Sequence, residues 1–165
     1  MARNIQRASD MATFEKPTKS QDLPPLFYKE PVILRFEEHQ RKALRPAISY
    51  EFTRLAVAVP LLIGEFAAAV RHYPIVFSEL GAPLAILGLR EGQNLFVGRD
   101  GSWRKGTYVP AYLRRYPFIV TEVIESGQQF LAIDAASDRF ADLDASADGE
   151  PLFDETGGST PLAAQ

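Results

Sequence analysis

A doubled proline signature constrains this chain more than any other feature. RHYPIVF at 71–77 returns as RRYPFIV at 114–120, and each copy is preceded by a Val-Pro pair, Val59-Pro60 and Val109-Pro110. Proline suits the start of a helix, where the first N–H groups have no helical partner. It stops a helix further on, because it offers no N–H and restricts the residue before it. The spacing therefore predicts two units, each a helix entered at Pro60 or Pro110, ended at Pro74 or Pro117, and followed by two strands. In the first unit the helix is predicted over 61–73, with Leu62, Phe66, Val70 and Tyr73 on one face and Glu65, Ala68 and His72 on another. Its strands fall at 75–77 and 84–89. A further short run at 95–97 leads into the turn-forming GRDG at 98–101. In the second unit the helix lies within 108–116. Strands at 118–124 and 129–133 follow, joined through Glu125, Ser126 and Gly127 as a β-hairpin. Two copies are too few for a solenoid. The expected fold class is α+β, with one antiparallel sheet built from two α-β-β-like repeats with short helices.

The flanks divide the chain further. Residues 1–22 are polar and without periodicity, which predicts a disordered N-terminal arm. The α+β domain is expected over 23–134. It opens with an extended segment around Pro24, Pro25 and Pro31, then a helix or helical turn over 36–44 with Phe36, Gln40 and Leu44 on one face. Ile48, Tyr50 and Phe52 alternate, so 47–57 is predicted as a strand. Residues 134–165 carry one cation, Arg139, against eight acids. An acidic, mostly irregular tail is therefore expected over 135–165.

Several function classes drop out. With no cysteine there is no disulfide, thiol nucleophile or thiolate metal site. Only two histidines occur, His39 and His72, and no metal-ligand spacing joins them. Asp134, Asp138, Asp142, Asp144 and Asp148 lack the loop glycine and terminal glutamate of a calcium-binding loop. No phosphate loop, dinucleotide fingerprint or nucleophile elbow is present. No metal and no cofactor is expected. The apolar stretch 55–70 is broken by Pro60, Gly64 and Glu65, so no membrane span is expected. The first residues lack the apolar core of a secretory signal, and the expected location is cytoplasmic.

No residue is assigned as catalytic. A small enzyme of unknown reaction, as the alternative, requires Glu65, His72, Tyr73 and Asp134 to converge in one pocket. The stronger candidate is a surface. Between 99 and 116, Arg99, Arg104, Lys105, Arg114 and Arg115 face only Asp100 in charge, and Trp103, Tyr108, Tyr112 and Tyr116 interleave with them. Cations among aromatics can hold a peptide or an anionic ligand. Trp103, Arg104, Tyr108, Tyr112, Arg114 and Arg115 are the candidate partner-binding residues, and the repeat adds Arg71. The same residues also fit a bland reading, with core aromatics, solvated charges and arginines that favour helix ends. Nucleic acid is the weaker partner, because the chain is acidic overall at net −3. A peptide or protein partner is expected, and the oligomeric state is left open.

A family resemblance rests on named stretches. PPLFYKEPV at 24–32, AVPLLIGEF at 58–66, RHYPIVF at 71–77 and LGLREGQNLFV at 87–97 resemble SapC family motifs. GSWRKGTYVPAYLRRYPF at 101–118 is the most specific, and FLAIDAAS at 130–137 and PLFDETG at 151–157 complete the order. The family continues beyond the last motif, so the resemblance implies a chain without the family's C-terminal part. It also implies association with surface-layer proteins or peptide transport, a non-enzymatic accessory role, and no established catalytic residues.

Overall fold

The computed structural model describes residues 25–46, 49–123, 127–145, 148–154 and 157–158. The arm expected at 1–22 lies outside them. In chain order the strands are β1 (Pro31–Ile33), β2 (Lys42–Leu44), β3 (Ala58–Pro60), β4 (Ile75–Phe77), β5 (Pro83–Ile86), β6 (Phe118–Val123), β7 (Gln128–Asp134), β8 (Phe140–Asp142) and β9 (Glu150–Pro151). Single helical turns are α1 (Phe36–His39), α2 (Phe66–Ala69) and α3 (Ala111–Arg114). The α+β class stands. The strands form three antiparallel sheets in the orders β1-β7-β6, β8-β2-β9 and β3-β5-β4.

Both hairpins of the two proline-marked units form, but they do not share one sheet. β4–β5 is completed by β3, whereas β6–β7 is completed by β1. Phe118 lies opposite Ile133, and the ladder runs to Val123 opposite Gln128. Gly127 turns the chain there at φ 65°, a conformation that favours glycine. The prolines set each hairpin locally, but the third strand differs: β3 carries the first unit's own Val59-Pro60, whereas β1 comes from a distant segment.

The helix predicted over 61–73 contracts. Pro60 ends β3 opposite Leu84 rather than opening a helix. β3 is an edge strand, where a missing N–H costs no ladder bond on the open side. A 3-10 turn at Ile63–Glu65 leads into α2. The predicted faces are also mixed: Tyr73 and Phe66 of the apolar face pack inward as expected, while Leu62 and Val70 do not. Glu65, Ala69 and Tyr73 are buried at four-residue spacing, while Leu62, Ile63 and Val70 are exposed. The cause is Glu65, whose carboxylate accepts a hydrogen bond from Leu62 N–H (2.8 Å) and is held inward.

Three other expectations change. The segment 36–44 is helical only through His39, and 42–44 is β2, paired with β8 and β9. His39 Nδ1 meets Arg35 N–H at 3.1 Å and closes the turn. The alternation at 47–57 does not make a strand. Residues 47–48 lie outside the description, and Glu51–Thr53 is a 3-10 turn. Thr53 Oγ1 donates to Tyr50 O (2.8 Å), and Asn94 Nδ2 donates to Thr53 O (3.0 Å), which curls the backbone back. The strand expected at 84–89 ends at Ile86. Leu87 and Gly88 N–H both turn to Val57 O, and a Cβ on Gly88 would sit 1.8 Å from Gln93 O. The run at 95–97 makes only a bridge, Val97 with Trp103, across the turn at 98–101.

The acidic segment after Asp134 is stitched to the body. β8 pairs with β2, Lys42 forms an ion pair with Asp142 (2.9 Å), Arg41 with Asp144, and Leu152 is fully buried. The main apolar cluster joins Val59, Leu61, Ala69, Tyr73, Ala85, Leu87, Val97, Trp103 and Leu113.

Candidate binding cleft

Glu65 is the first organising group. Besides capping Leu62, its Oε1 accepts from Tyr108 Oη (2.8 Å) and from Ala111 N–H at the entry to α3 (2.7 Å). One buried carboxylate thus fixes both proline-marked helical turns relative to each other. Tyr73 Oη and Trp103 Nε1 (3.3 Å) both donate to Tyr108 O. Of the aromatic members of the predicted surface, Trp103 is therefore committed inward, while Tyr108 and Tyr112 are half-buried. Trp103 is 7% exposed and stacks on Phe96, and Tyr112 donates to Leu26 O (3.2 Å).

The arginines divide differently. Arg114 donates through Nε to Val109 O (3.0 Å) and through Nη2 to Tyr108 Oη (3.1 Å), so Glu65, Tyr108 and Arg114 form one chain of contacts. Arg115 lies over the Tyr112 ring at 4.2 Å. Both line a cleft of about 440 Å³ whose other walls are Leu44, Ala111, Tyr116, Phe118, Ile119, Val120, Leu131 and Arg139. Arg71 and Arg104 are exposed elsewhere and do not line it. Trp103 and Tyr108 sit beneath the arginine turn rather than in the wall.

Arg139 is the member that sequence reading missed as a site residue. Its Nη1 donates to Tyr116 O (3.2 Å) and its Nη2 to Arg45 O (3.1 Å), while its buried Nε has no hydrogen-bond partner. Burial pulls its pKa below the ordinary guanidinium value. Its signal in the sequence was its isolation, the one cation among the acids after Asp134. Among the described residues, none of Arg114, Arg115 and Arg139 forms an ion pair with a carboxylate. Three guanidinium groups beside apolar walls are chemically suited to an anionic group attached to an apolar body.

The four residues of the enzyme alternative do not meet in this cleft. Glu65 and Tyr73 both reach Tyr108 but hold structural hydrogen bonds. His72 is half-buried with its ring against Tyr73. Asp134 belongs to a separate network, accepting from Glu30 N–H (2.8 Å) and Tyr116 Oη (2.9 Å). No cluster of three His, Asp or Glu side chains able to hold a metal occurs among the described residues. No helix among them is long and apolar enough to cross a membrane.

Two tyrosines beside the cleft report on its integrity. Burial pushes Tyr28 up to about 12, with Arg115 pulling the other way. Burial also pushes Tyr116 up to about 12; a Ser137 hydrogen bond opposes the shift and Asp134 adds to it. A folded pKa above the unfolded one favours the neutral phenol in the fold. That stabilisation is whole below the unfolded value near 10 and disappears as pH rises through about 12. In an alkaline titration, phenolate absorbance from Tyr28 and Tyr116 is expected to lag the other tyrosines and to rise together with loss of near-ultraviolet dichroism. Full ionisation near pH 10 with the fold intact would contradict this burial.

A family model described as SapC matches residues 34–165 of the chain. No curated protein and no solved structure matches it.

Proposed function

The chain belongs to the SapC family, and we propose that it works as a non-enzymatic accessory protein holding a peptide or protein partner in the arginine-walled cleft. The observation that carries this reading is the set of three guanidinium groups, Arg114, Arg115 and Arg139, around an apolar cleft, none of them in an ion pair with a carboxylate among the described residues. Each guanidinium is pre-positioned by a ring or a carbonyl, so little side-chain freedom is lost when an anion arrives. Trp103 and Tyr108 contribute by stiffening the turn that carries Arg114. Arg71 and Arg104, exposed away from the cleft, are left outside this reading.

We read α2–β4–β5 and α3–β6–β7 as a duplicated unit, of which the second copy opens the cleft. Residues 23–134 form the body in this reading, and 135–165 bring Arg139 to it. A cytoplasmic place, beside surface-layer export or peptide uptake, is the setting the family resemblance suggests.

The test is an array of immobilised peptides probed with the full chain and with an R114E/R115E double variant. Both substitutions are on exposed side chains, and circular dichroism checks that the fold is kept. The wild type is expected to be retained on a subset of anionic peptides, and the variant at least tenfold less. Equal retention of both proteins removes the cleft from the function.

A further inference from the structure

We propose that the partner enters the cleft as an extended peptide C-terminus, pairing with the open edge of β6 and placing its terminal carboxylate among Arg114, Arg115 and Arg139. This deepens, and rests on, the cleft reading above.

Among the described residues β6 is an edge strand, with β7 on one side and no strand on the other. Its hydrogen-bonding register follows from Asp134 N–H donating to Pro117 O (3.0 Å). In an antiparallel pair the bonded positions alternate, so residues 117, 119 and 121 turn their backbone groups to β7. Phe118, Val120 and Glu122 turn theirs outward. The chain itself closes the first of these positions. Phe118 N–H donates to Arg115 O (2.7 Å), and Phe118 O accepts from Tyr28 Oη (2.6 Å). The open ladder therefore begins at Val120, a residue that is 60% exposed and lines the cleft.

Polarity then decides which end of a peptide meets the arginines. Arg114 and Arg115 stand just before the start of β6, and Arg139 Nη1 is anchored on Tyr116 O at the same end. A peptide added antiparallel to β6, as every neighbouring pair here is, ends where β6 begins. Its carboxylate arrives at three cations. A parallel peptide would bring its ammonium there and be repelled. Leu44, Phe118 and Leu131 line the cleft beside Val120 and provide an apolar seat for the last side chain. Strand addition of this kind takes affinity from main-chain hydrogen bonds and selectivity from the pocket.

The test uses the full chain and an N-acetylated seven-residue peptide of alternating Ser and Val that ends in Leu. Calorimetry compares the free acid, the C-terminal amide, and the acid with alternate backbone nitrogens methylated, with dodecanoate as a carboxylate that lacks a peptide backbone. The free acid is expected to bind, the amide and the methylated peptide each at least tenfold more weakly, and dodecanoate more weakly than the acid. In nitrogen-15 spectra the Val120 amide is expected to shift on binding while the Val76 amide, on β4, does not. Equal affinity for acid and amide overturns the carboxylate placement. Unchanged affinity on methylation, or tighter binding of dodecanoate, overturns strand addition. If the seven-residue acid fails while array peptides still bind in an Arg114- and Arg115-dependent way, this inference falls and the cleft reading stands. If the array signal is also insensitive to those arginines, both fall.

Discussion

Replacing Glu65 by alanine is expected to destabilise the protein by about 4 kcal/mol, since three donors lose a charged acceptor in a buried setting. Those donors are Leu62 N–H, Tyr108 Oη and Ala111 N–H, all within 2.7–2.8 Å. Two of them are backbone groups at the entry to a helical turn, where no helical partner exists. At roughly 2–4 °C per kcal/mol for a chain of this size, the melting temperature should fall by about 10 °C. Glu65→Gln keeps one carbonyl oxygen for these donors, so about half the loss is expected. Calorimetric melting and urea titration measure both variants. A Glu65→Ala protein within 1 kcal/mol of wild type would refute the node. That result would also revive the enzyme alternative, because a catalytic carboxylate is commonly held at a cost to stability rather than as its support.

Replacing Asp134 by alanine is expected to cost about 3 kcal/mol, since it strands a partly buried backbone N–H and a buried phenol. The side chain is fully buried at the end of β7. It accepts from Glu30 N–H ahead of β1, from Tyr116 Oη ahead of β6, and more weakly from Ala136 N–H (3.4 Å). It thus ties together the approaches to all three strands of the cleft's sheet. Asp134→Asn retains an acceptor for Glu30, and its amide can donate to the phenol oxygen, so a loss of about 1 kcal/mol is expected. A second readout separates this role from simple packing. Asp134 helps raise the Tyr116 pKa, so removing it should bring that ionisation to lower pH. Alkaline titration of Asp134→Ala, compared with Asp134→Ala/Tyr116→Phe, isolates it. No change in the difference spectrum would mean that the phenol does not depend on Asp134.

The two variants sort the residues that sequence patterns left ambiguous. Glu65 and Asp134 attracted an enzymatic reading because they are among the few acid–base groups that could converge in one pocket with His72 and Tyr73. In the fold each is fully engaged in joining segments that are distant in sequence. Glu65 reaches Tyr108 and Ala111 across 43 and 46 positions, and Asp134 reaches Glu30 across 104. No local pattern reports such distances.

The prolines Pro74 and Pro117 were legible because their effect is confined to a few neighbours. Pro74 and Pro117 end helical turns, Gly127 turns a hairpin, and 75–77 and 118–123 become strands as expected. The family was also legible, because its motifs are contiguous. What the tertiary structure alone decided is partnership. Pro60 became a strand residue because β5 lies beside it, and Glu65 turned inward because it found donors there. The candidate surface moved from Trp103 and Tyr108 to a cleft completed by Arg139, a residue that local reading placed in an acidic tail. The physical reason is common to all three. Backbone sterics act over adjacent residues, whereas burying a charge or completing a sheet depends on groups that the chain brings together only when it folds.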